Sequence, residues 1–84
     1  MFPRLQLHTM PAPAGTRRLA DFQVETIVNM VRAVAGPNPP HGINGAVATL
    51  LRFKDVHAAQ DLADACARVG YVGLAAGIDT EVSE

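Results

Sequence analysis

The chain has 84 residues, 49% of them hydrophobic, with seven basic and eight acidic side chains and a formal net charge of −1. That length is one domain, burying roughly 60–65% of its unfolded surface, and the ordinary hydrophobic content excludes a fully disordered chain. The near-neutral charge argues against a nucleic-acid binder, which needs a basic excess or stripe.

The apolar share is thin. Fourteen of the 41 hydrophobic residues are Ala, aromatics are Phe2, Phe22, Phe53 and Tyr71, and Trp is absent. Alanine removes little area from water, so the expected core is slight and closely packed, without a large enclosed ligand cavity. The single cysteine, Cys66, cannot form an intrachain disulfide, which points to a reducing, cytoplasmic setting. Pro11 and Pro13 interrupt any signal-peptide apolar region, and no apolar run reaches a membrane span, so no membrane partner is expected. Arginine outnumbers lysine six to one beside heavy Ala, Val and Gly usage, a composition of GC-rich coding that suggests a bacterial or phage source.

Taken in chain order, residues 2–9 alternate, with Leu5 and Leu7 on one face and Arg4, Gln6 and His8 on the other. The spacing predicts an edge strand, started by Pro3. Residues 10–18 open with a Pro/Gly-rich stretch and read as a loop. Over 19–35, Ala20, Val24, Ile27, Val28, Val31, Val34 and Ala35 share one face of a helical wheel. Asp21, Glu25, Asn29 and Arg32 share the opposite side, which decides for a helix despite many β-branched residues. Gly36 and Pro37 end it.

Residues 36–45, Gly-Pro-Asn-Pro-Pro-His-Gly-Ile-Asn-Gly, read as a stiff loop with a turn at Asn44-Gly45. A short strand or hairpin inside it, with Ile43 near the bend, stays open. Residues 46–53 read as a central strand apolar on both faces. Over 55–69 a helix is predicted, N-capped by Asp55 and ended by Gly70, with Val56, Ala59, Leu62, Ala63, Cys66 and Val69 inward. Residues 71–78 read as a last strand loosened by Gly73 and Gly77, and 79–84 as an acidic flexible tail.

The order β-α-(β)-β-α-β is the plan of an α+β, ferredoxin-like (split βαβ) two-layer sandwich, with two helices against three or four strands. A sheet face left open by two Ala-rich helices is a candidate surface for pairing copies.

Few residues carry chemistry. His8, His41 and His57 lie at no metal-ligand spacing, and neither CxxC nor HxxxH occurs. His57 with Asp61, and Asp64 with Arg68, read as solvated helix pairs. Cys66 lies on an apolar helix face, as a core residue rather than a nucleophile. Gly70, Gly73 and Gly77 follow a helix, whereas phosphate cradles precede one. No catalytic, metal or cofactor residues are assigned. The candidate partner-binding residues are Pro39, Pro40, His41 and Ile43 in the stiff loop, Arg17 and Arg18 before the first helix, and Tyr71.

From Val47 to Val72, under a third of the chain, Phe53, Asp55, Ala58, Ala59, Leu62, Ala63, Gly70 and Tyr71 stand as in one half of a SPOR-type repeat. The stretch resembles that family's strand–helix–strand unit. The resemblance implies a ferredoxin-like sheet and binding of bare peptidoglycan strands. A similar plan underlies the small dimeric α+β barrels, some of them enzymes, for which His8 or His41 would serve as general base. A phage structural or host-takeover protein is a further alternative. The leading expectation is a non-catalytic interaction or assembly module whose partner is protein. It would self-associate, as a homo-oligomer, or bind another chain through a sheet face or edge.

Overall fold

The computed structural model describes residues 17–83, and these form an up-and-down arrangement of four helices. Helix α1 is Asp21–Ala35, α2 His41–Phe53, α3 Val56–Arg68 and α4 Val72–Ser83. No strand occurs among the described residues. Their one extended pairing is an antiparallel bridge between Arg18 and Asp55. The ferredoxin-like α+β sandwich is therefore overturned. The predicted strand 2–9 and residues 10–16 of the first loop lie outside the described residues, as does Glu84.

Residues 46–53 are the body of α2, not a central strand. A strand beginning at Ala46 leaves Ile43 in the preceding loop. With Ile43 restored, Ile43, Ala46, Val47 and Leu50 recur at helical spacing and turn inward. Ile43 and Leu50 are fully buried, while the adjacent Leu51 is 45% exposed, an asymmetry that a strand buried on both faces would not show. The loop 36–45 accordingly shrinks to Gly36–Pro40, and Asn44-Gly45 lies within the helix.

Residues 71–78 depart from the expected strand for a similar reason. Leu74, Ala75, Ile78 and Val82 form one buried stripe. Its last member falls in the predicted acidic tail, which instead completes α4 as far as Ser83. Gly77 does not break the helix. A Cβ there would lie an ordinary 3.5 Å from Met30 Sδ, so this is where α4 comes close to α1.

The helices at 19–35 and 55–69 are present with their ends trimmed. Asp55 N-caps α3, its Oδ1 accepting from the Ala58 N–H at 2.8 Å. At the other end, the Gly70 N–H reaches the Ala67 carbonyl and the Tyr71 N–H reaches Cys66. This paired pattern is a Schellman motif, and Gly70 takes φ 96° to make it.

The core is one cluster running through all four helices, centred on Ile27, Ile43, Leu50, Leu62, Cys66 and Ile78. Burial raises the pKa of the Cys66 thiol above its ordinary value, because the apolar interior penalises the thiolate. The packing is uneven. Helix α3 lies against both α2 and α4, and α1 leans on α4, but α1 and α2 scarcely touch.

The segment before α1 is laced across the α2–α3 corner. The Leu19 N–H donates to the Lys54 carbonyl and the Val56 N–H to the Arg17 carbonyl, both at 2.8 Å. Lys54 ends α2 in the left-handed conformation, φ 52°. At the same end of the bundle, the Arg17 guanidinium donates to the Val82 carbonyl and Gln23 Nε2 to the Glu81 carbonyl. Both carbonyls belong to the last turn of α4, where helical partners run out.

Candidate interaction groove

Because α1 packs on α4 and α2 on α3, the fourth side of the bundle gapes among the described residues. Two adjoining clefts occupy it. The smaller, 290 Å³, is lined by Asp21, Val24, Glu25, Asn29, Leu51 and Lys54. The larger, 540 Å³, runs towards the interhelical loop and is lined by Val31, Gly36, Pro37, Pro39, Asn44 and Val47. Val28 and Arg32 border both, so the two form one groove along α1.

The floor is aliphatic: Val24, Val28 and Val31 of α1, buried as part of the core, with the half-buried Val47 from α2. Leu51 stands on the α2 wall. The rim is charged. Asp21 and Lys54 meet at 3.7 Å across the end nearest the α2–α3 corner, both well solvated. Glu25 and Arg32 are exposed on α1, and neither makes an ion pair among the described residues. Every buried side-chain nitrogen and oxygen among those residues has a hydrogen-bond partner, so no unsatisfied polar group aims into the groove.

The residues singled out from sequence do not converge. Pro39 is half-buried and lines the larger cleft, with Pro40 and His41 exposed beside it at the start of α2. Ile43 is core and inaccessible. Tyr71 packs half-buried at the α3–α4 corner, where its main chain is spent on the Cys66 and Ala75 bonds. Arg17 and Arg18 sit at the opposite end of the bundle. Arg17 holds α4, and Arg18 faces Asp55 across the bridge.

Among the chemical candidates, His57 and Asp61 form an exposed pair at 3.5 Å. No three of the described His, Cys, Asp or Glu residues are grouped to hold a metal ion. His8 lies outside the described residues. Sequence reasoning missed Val47 and Leu51 as groove-lining residues, while Val28 is buried as its helix face predicts. The one signal available was the polar stripe Asp21, Glu25, Asn29 and Arg32, which the structure sets along the groove.

Compared with protein-family models, curated proteins and solved structures, the chain matches none. The sheet implied by the SPOR-type resemblance is absent from Val47–Val72, which is helical apart from two short corners. No described helix is long and apolar enough to cross a membrane.

Proposed function

We propose that the chain is a small non-catalytic interaction and assembly module that accepts an amphipathic helix in the α1–α2 groove. The observation that carries this reading is the groove itself: Leu51 and Val47 beside a buried valine floor, edged with charge, on the side of the bundle where the described helices pack least. Helix-in-groove recognition uses this combination of apolar anchors and polar rim. A small polar ligand would instead call for convergent buried donors or acceptors. The cytoplasm suits the module, since its one cysteine is buried and has no second cysteine to pair with.

The test is Leu51→Asp, a change at a wall residue outside the buried core. Association of the parent protein, with itself or with a captured partner, should be lost in the variant while the helical circular dichroism is kept. A parent that neither self-associates nor captures any partner counts against the reading, and so does association that ignores the substitution.

A further inference from the structure

The charges along the groove side of α1 change sign with position. Asp21 and Glu25 occupy its first half, Arg32 its second, and Val28 and Asn29 lie at the middle. Glu25 and Arg32 stand about 10 Å apart along the axis, on either side of that midpoint. Neither has an ion-pair partner among the described residues. A surface with this order is complementary to itself turned end for end.

We infer that the occupant of the groove is α1 of a second copy, running antiparallel about a two-fold axis near Val28 and Asn29. This rests on the groove reading above and names its partner. In that arrangement Glu25 faces Arg32 of the other copy, and the symmetry repeats the pair. A parallel arrangement would set Glu25 against Glu25 and Arg32 against Arg32, and like charges across an interface are penalised. Each α1 then also meets the Val47 and Leu51 wall of the opposite α2, which covers the exposed Leu51 and the half-buried Val47. A closed two-fold contact limits assembly to a dimer.

Sedimentation of the parent from micromolar to sub-millimolar concentration should show a dimer. Glu25→Arg sets four arginines around the axis and Arg32→Glu sets four glutamates. Each single variant should weaken the dimer at least about tenfold. Mixing the two singles is the decisive arm. One chain then brings only arginines to the two positions and the other only glutamates, so both contacts across the axis pair opposite charges. A heterodimer should form from two monomeric solutions. The double variant E25R/R32E should also regain the homodimer, with circular dichroism confirming that each chain remains folded. A monomeric parent, or a mixture that stays monomeric, overturns the inference. If a monomeric parent still captures a partner through Leu51, the groove reading survives and only the second copy is lost. If a dimer ignores Leu51→Asp and both charge changes, the groove reading falls as well.

Discussion

Gln23 donates a hydrogen bond from Nε2 to the main-chain carbonyl of Glu81 at 3.1 Å, 58 residues away in sequence. Its Oε1 meanwhile accepts from the Ala20 N–H at 2.9 Å. This is half of a capping box at the start of α1, for Ala20 has no side-chain acceptor to return the bond. One buried amide thus serves the first turn of α1 and the last turn of α4. Gln23→Leu keeps much of the volume and removes both bonds. It should lower stability by about 1–2 kcal/mol, read from the urea midpoint. Amide exchange should accelerate first in the last turn of α4.

Two glycines should respond to alanine with opposite signs. Gly77 is inside α4 with ordinary space for a Cβ, so Gly77→Ala should raise stability by about 0.5–1 kcal/mol. Gly70 holds φ 96° in the Schellman motif, and Gly70→Ala should cost about 1–2 kcal/mol. Thermal melts of the pair would show the divergence.

Lys54 occupies a left-handed cap where glycine is usual. Lys54→Gly should gain up to about 1 kcal/mol, the relieved strain exceeding the added freedom of the unfolded chain. Losing the solvated contact with Asp21 should matter little, since exposed pairs contribute little. Lys54→Val should be destabilising, because a β-branched residue resists positive φ. Denaturant titration of both variants checks the order.

The buried thiol of Cys66 gives stability a pH dependence. Its folded pKa is raised, so the unfolded chain releases the proton first as pH increases. The contribution is therefore complete below the thiol's unfolded pKa, about 8.5, and lost as pH rises from there through the folded value. Urea midpoints measured across that window should fall, and part of the fall should vanish in Cys66→Ala. A thiol reagent should label the native protein far more slowly than the denatured one.

Half of the fold is legible in the sequence. Helix α1 shows a clean polar stripe, and α3 has its Asp55 cap and Gly70 stop. Helices α2 and α4 are not legible, for a physical reason that the two share. Each loses a core residue if cut where the sequence suggests: Ile43 ahead of the Asn44-Gly45 turn signal, and Val82 within the acidic end. What remains is short, apolar and rich in small residues, and periodicity alone does not separate a strand from a helix there. Gly45, Gly73 and Gly77 deepen the error, since packing outweighs their poor helix propensity. The groove is harder still to foresee. It arises because α1 and α2 scarcely touch, and a wheel drawn for one helix cannot show that.

The Arg17–Val82 contact has a topological consequence. It brings the backbone leading into α1 beside the last turn of α4, so the described unit nearly closes on itself. A circular permutant can therefore join Ser83 to Arg17 through a short Gly/Ser linker and open at the exposed Pro37–Asn38 bond. It should keep the native helical spectrum, because connectivity at that end of the bundle only restates a proximity already built from hydrogen bonds.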